Sequence, residues 1–102
     1  MSDETKNKLD EDSAQEFIPP LDFSSIVFPI YTQALIKLGL MEDPRTSTLE
    51  TNLDYAKRLI DILDLLRDRT KGNLEPDEEK FFEAIMSQLK LHYLQKIKAI
   101  KL

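Results

Sequence analysis

The chain contains no cysteine, a single histidine and only two glycines among its 102 residues. Without cysteine it has no disulfide framework, no thiolate metal site and no thiol nucleophile, a usage that suits a reducing compartment. Gly39 and Gly72 stand alone, so the usual glycine-rich phosphate loops are excluded. The one histidine, His92, would need a partner carboxylate and a pocket to serve as a general base, and the sequence specifies neither. It reads as a surface or half-buried residue. Long apolar runs are also missing. The longest, Ile26–Ile30, is interrupted by Pro29 and falls far short of the roughly 20 residues that span a bilayer. The first six residues are polar and acidic, unlike a secretory signal. A cytoplasmic location is therefore expected. No strand-like alternation and no internal repeat is visible.

Charge is unevenly distributed along the chain. The net charge of −5 divides into −5 over residues 1–22, −4 over 23–83 and +4 over 84–102. Overall acidity argues against a general nucleic-acid binder, which needs a basic surface to neutralise phosphates. The basic C-terminal end is a local exception.

Residues 1–20 are rich in Asp, Glu, Lys, Ser, Asn and Gln, with Leu9 the lone large apolar residue between Met1 and Phe17. Such a segment buries too little surface to offset its ordering entropy and reads as a disordered acidic tail. Phe17 and Ile18 are the two residues by which it can dock on the body. Pro19 and Pro20 then favour an extended entry into a helical domain over 21–102.

Three helices are expected, at about 23–40, 53–71 and 76–100. In the first, Phe23, Ile26, Val27, Ile30, Tyr31, Ala34, Leu35 and Leu38 recur at helical spacing. Asp22 or Ser24 can cap its free N–H groups. Pro29 predicts a kink, or a start nearer Ser25, because it removes the bond to the Ser25 carbonyl. Gly39 can relax the last turn. Met41 to Thr48 form a long connection with Asp-Pro and Thr/Ser turn chemistry. In the second helix Leu53, Ala56, Leu59, Ile60, Leu63, Leu66 and Thr70 share a face, Asn52 caps the start and Gly72 ends it. Ile62 and Leu65 widen the stripe. Pro76 suits a first helical position, and Asp77, Glu78 and Glu79 suit the positive end of a helix dipole. Phe82, Ile85, Met86, Leu89, Tyr93, Ile97 and Ile100 form the main stripe of the third helix, with Phe81, Leu91 and Leu94 off it. The fold class is all-α: a three-helix bundle, or a helical hairpin plus a third helix.

Several polar groupings bear on chemistry. Asp61, Asp64 and Asp68 step along one side of the second helix and could ligate a divalent cation. No Glu-x-x-His partner stands on another helix, so a solvated face salted by Arg58, Arg67 and Arg69 is expected instead. Ser24 and Ser25 lack nucleophile-elbow glycines and read as capping residues. Gln33, with Thr32, lies among apolar residues and either fixes register or points to water. Lys90, Lys96, Lys98 and Lys101 with Leu91, Leu94, Ile97, Ile100 and Leu102 make a basic amphipathic end. It could lie on an anionic membrane or nucleic-acid surface, but lysines there also suit the negative end of a helix dipole. No catalytic residue, metal or cofactor is expected.

The body resembles a bacterial family catalogued as domain of unknown function 1844. The matching stretches are Asp22-Phe23-Ser24-Ser25, Thr32-Gln33-Ala34-Leu35 with Leu38-Gly39, Asp43-Pro44, Asn52-Leu53, Ala56-Lys57 and Ile60-Asp61-Ile62-Leu63. Thr70-Lys71-Gly72-Asn73-Leu74 followed by Glu78-Glu79 is the most specific. The resemblance implies a small helical protein with no assigned activity. Pro29 departs from the apolar or small residue expected at its position, and Glu75 stands where a better cap such as Thr is usual. It also implies a possible polar patch of Gln33, Lys57, Asp61, Lys71 and Asn73. Helices two and three carry more apolar surface than one seam buries, and a domain of this size sits near the stability margin. The expected function is a non-enzymatic module that self-associates, as a homo-oligomer, or binds another protein. The alternative is a peripheral binder of anionic surfaces.

Overall fold

In the computed structural model, residues 21–101 are described, and three helices follow one another: α1 (Ser24–Lys37), α2 (Leu53–Arg69) and α3 (Pro76–Lys101). The tail expected over residues 1–20, with Phe17 and Ile18, lies outside the described residues, as do Leu102 and the side chains of Ile100 and Lys101.

Asp22 starts α1 from outside it. Its carboxylate accepts the Ser24 N–H at 2.9 Å and the Ser24 hydroxyl, and its carbonyl accepts the Ser25 hydroxyl at 2.7 Å. The residue at the helix boundary, Phe23, has helical dihedrals and makes no side-chain cap. Its N–H is instead taken by the Glu78 carboxylate of α3 at 2.9 Å. The other oxygen of Glu78 accepts the Glu75 N–H at 2.9 Å, which is the reciprocal half of a capping box. One carboxylate thus satisfies orphan donors at the starts of two helices. This offsets the weak cap that Glu75 itself offers.

Helix α1 continues through Pro29, which faces solvent one turn from the N-terminus. The helix starts at Ser24, one residue after the expected 23 and next to the Ser25 start that Pro29 suggested. The C-terminal end comes at Lys37, short of Leu40, because Gly39 reverses the chain at φ +79°. Leu40 N–H reaches back to Leu35 carbonyl and Gly39 N–H to Ile36 carbonyl, both at 3.0 Å, the paired bonds of a Schellman motif. Helix α2 is capped by Asn52, whose side chain accepts the Tyr55 N–H at 3.1 Å. Its end is marked by Thr70, whose hydroxyl returns to the Leu66 carbonyl at 2.8 Å, and by Gly72 at φ +82°.

Each helix contacts both others, so the described residues form a three-helix bundle. The core is a single cluster drawn from all three: Val27, Ala34 and Leu38 from α1 and its cap, Ala56, Leu59, Ile60 and Leu63 from α2, Phe82, Ile85, Met86 and Leu89 from α3. Phe23 extends it by packing its ring 5.6 Å from that of Phe82. Every buried residue among those described is apolar. At 26 residues against 17, α3 outruns α2 by about 13 Å at a rise of 1.5 Å per residue.

Candidate functional site

The polar patch implied by the resemblance is dispersed over the bundle. Lys57 and Asp61 pair across one turn of α2, Nζ to Oδ2 at 3.0 Å, with both side chains more than half exposed. The Asp61 carboxylate beside it raises the Lys57 ammonium above its ordinary pKa. Ten residues on, about 15 Å along the chain direction, Lys71 lines a separate cleft. Asn73 lies exposed in the α2–α3 turn, its N–H on the Thr70 carbonyl at 2.9 Å. Gln33 is half-buried on α1. Only Lys57 and Asp61 are brought together.

The cleft holds about 480 Å³ between the end of α2 and the start of α3. An ion-pair network crosses it. Asp64 accepts Arg67 at 3.0 Å and Lys90 at 3.1 Å on the same oxygen, and Arg67 also grips both oxygens of Glu83 at 3.1 Å. Asp68, Lys71 and Glu79 complete the polar wall. Of the carboxylate ladder of α2, Asp61 is therefore salted by Lys57, and Asp64 by Arg67 and Lys90. No group of three or more His, Asp or Glu side chains arranged to hold a metal occurs among the described residues. Glu83 and Lys90 were absent from the expected network, since helical spacing shows neighbours on one rod but not across two.

The connection between α1 and α2 is also built. Asp43 and Thr48 bridge antiparallel, Asp43 N–H to Thr48 carbonyl at 2.9 Å, with Ser47 at φ 55° in the reversal. The Asp43 carboxylate accepts the Arg45 N–H at 2.9 Å and its guanidinium at 3.3 Å. The guanidinium and N–H of Arg45 hold that carboxyl below the usual carboxylate range. Asn52 N–H donates to the Lys37 carbonyl at 2.7 Å, so the end of α1 and the start of α2 are tied directly.

Of the C-terminal lysines, Lys90 is in the Asp64 network and Lys96 is directed at the end of α1. Its Nζ lies 3.7 Å from where a Cβ on Gly39 would sit, close to the negative end of that helix dipole. Lys98 is exposed. His92 is half-buried on α3.

One uncommitted feature is apolar. Along the outer side of α3, Lys80, Ala84, Ser87, Leu91, Leu94 and Lys98 recur at alternating steps of four and three. All are exposed, Leu91 at 55% and Leu94 at 53%. Beside them Phe81 is 37% exposed and joins Tyr31 of α1 in a shallow groove. Tyr31 is fixed there by its hydroxyl, 2.8 Å from Gln88 Oε1, and by its ring, 6.5 Å from that of Phe28. Phe81, Leu91 and Leu94 lie off the main stripe in the sequence, and the four-and-three spacing with Ala84 and Ser87 is what unites Leu91 and Leu94 on this outer row.

A three-helix bundle with ion-paired polar faces and a charge-poor flank on α3 defines a small all-helical protein. No helix among the described residues is long and apolar enough to cross a membrane. The chain belongs to the family described as Domain of unknown function (DUF1844), whose model matches residues 20–95. That span takes in all of α1 and α2 and α3 as far as Gln95. Neither a curated protein nor a solved structure matches it.

Proposed function

We propose that the chain is a non-enzymatic, cytoplasmic helical module that works by self-association. The observation that carries this is the outer side of α3, where Phe81, Ala84, Leu91 and Leu94 leave a charge-poor surface in contact with water. Removing that surface from water is favourable at about 25 cal/mol per Å² of apolar area. Exposed apolar patches of this kind mark interaction sites on soluble proteins. The polar groups support the same reading. Asp61 and Asp64, which could act as acids or bases, are engaged by Lys57, Arg67 and Lys90. Gln33, Lys57 and Asp61 do not share the cleft that Lys71 lines. An anionic-surface binder has less support, since Lys90 and Lys96 serve the fold.

One helix flank is a modest interface, near or below the roughly 1,200 Å² at the lower end of stable complexes, so a micromolar dissociation constant is expected. Sedimentation velocity over about 5–500 μM full-length chain tests it. The expected result is a sedimentation coefficient rising with concentration, abolished by Leu91→Glu. A monomer at every concentration would sink the reading.

A further inference from the structure

The face that carries self-association also has a direction. We infer that a second copy of the chain docks on α3 antiparallel to the first, with the two-fold axis beside Ser87 and Gln88; this rests on the self-association proposed above. The inference comes from three features of one helix.

First, the charge-poor stretch is bounded. It runs from Phe81 to Leu94, about 20 Å at the helical rise, and its midpoint falls between Ser87 and Gln88. A two-fold placed there covers the whole stretch with its own copy, so that Ala84 faces Leu91, and Phe81 and Leu94 meet at one level on opposite flanks of the seam. Displacing the axis by a turn leaves apolar surface uncovered at one end.

Second, the small side chains are central. Ser87 is exposed beside the midpoint, where two helices about a two-fold come closest, and exposed Ala84 lies one turn toward the N-terminus. Leu91 is as far from the midpoint as Ala84, so the two-fold sets a large side chain against a small one, while the bulkier Phe81 and Leu94 lie further out.

Third, the charges outside the stretch are asymmetric. The first turn of α3 carries Asp77, Glu78 and Glu79, while the far end carries Lys96 and Lys98. A parallel pair would set acid on acid and lysine on lysine. The antiparallel pair places exposed Asp77 opposite exposed Lys98, each ten to eleven residues from the axis. It also opposes the two helix dipoles. Isologous two-fold contacts of this kind close on themselves and yield a dimer, not a filament.

The absence of cysteine makes the test direct, because an introduced thiol is unique. Ser87→Cys and Lys98→Cys, each spin-labelled in the full-length chain, report separations across the dimer by pulsed electron resonance. The expected result is a short distance, under about 20 Å, for position 87 and one of about 32 Å between backbones for position 98, from twenty-one residues of rise. Position 98 as close as position 87 would indicate parallel pairing and overturn the inference, as would a long distance at 87. A second pair of variants needs no label. Asp77→Lys should weaken the dimer about tenfold, and Asp77→Lys with Lys98→Asp should restore most of it; failure of that rescue counts against the orientation. A dimeric mass with the wrong distances removes only the antiparallel geometry. A monomeric mass removes self-association altogether, and the orientation with it.

Discussion

Gly39 is constrained twice over. Its φ of +79° is a left-handed conformation that costs other residues about 1–2 kcal/mol, and a Cβ there would meet Thr51 Oγ1 at 2.3 Å. Gly72 shares the dihedral, at +82°, but has open space around it. Gly39→Ala should therefore destabilise by about 2–3 kcal/mol and Gly72→Ala by about 1, measured by urea unfolding at 25 °C. Thr51→Ala should recover part of the loss in the Gly39→Ala background and little on its own, a coupling that a double-mutant cycle reads. Asp43 makes a separate prediction about pH. Its carboxyl is held below the ordinary value of about 3.9 by hydrogen bonds from the Arg45 guanidinium and N–H. The contribution is present in full above that ordinary value and is lost as pH falls through the lower, folded one. Carboxyl carbon titration by NMR should place the Asp43 midpoint below that of exposed aspartates. Arg45→Ala should raise it only part of the way, because the backbone donor remains.

Helix ends show how far local reading reaches. Asn52 caps α2, Gly39 and Gly72 reverse the chain, and Pro76 opens α3, all from residues that act on their immediate neighbours. These were legible because a cap or a left-handed glycine is decided within about four positions. The Phe23–Glu78 contact joins residues 55 apart and could not be read this way. Periodicity shows that Glu78 lies in a first turn, where it favours the dipole, but not that a second helix starts beside it. Asn52→Ala should cost about 1 kcal/mol by chemical denaturation, the usual loss for an N-cap. Glu78→Ala should cost more, about 1–3 kcal/mol, because donors at two helix starts, the half-buried Phe23 N–H and the exposed Glu75 N–H, lose their acceptor together. The polar patch was illegible for a related reason. Lys57 and Asp61 stand four apart on one rod and meet, whereas Gln33, Lys71 and Asn73 belong to other stretches whose relative positions depend on packing.

The whole bundle rests on few large residues. Phe82, Leu38, Leu63, Met86, Leu89 and Val27 are the largest fully buried side chains. Phe82→Ala removes both a core ring and the platform for Phe23, and should cost about 3–5 kcal/mol. In a domain of this size each kcal/mol lowers the melting temperature by about 4–8 °C, so that variant should be largely unfolded at 37 °C. Leu91→Glu, on the opposite side of α3, should leave the melting temperature of dilute protein within a few degrees. The core positions were legible because apolar residues recur every three or four positions. The outer flank was less so, since its spacing could equally belong to a buried side, and only the packed helices show which side faces water.

The bond from Asn52 to the Lys37 carbonyl pins the two ends of the α1–α2 connection side by side. The length of chain between them is thereby freed from any duty to span distance. Each doubling of such a closed segment costs only about 0.6 kcal/mol. A guest peptide spliced between Leu49 and Glu50, outside the Asp43–Thr48 bridge and at an exposed position, should be carried with the helices still docked. That junction is accordingly the natural point at which to graft an epitope or a reporter onto this scaffold.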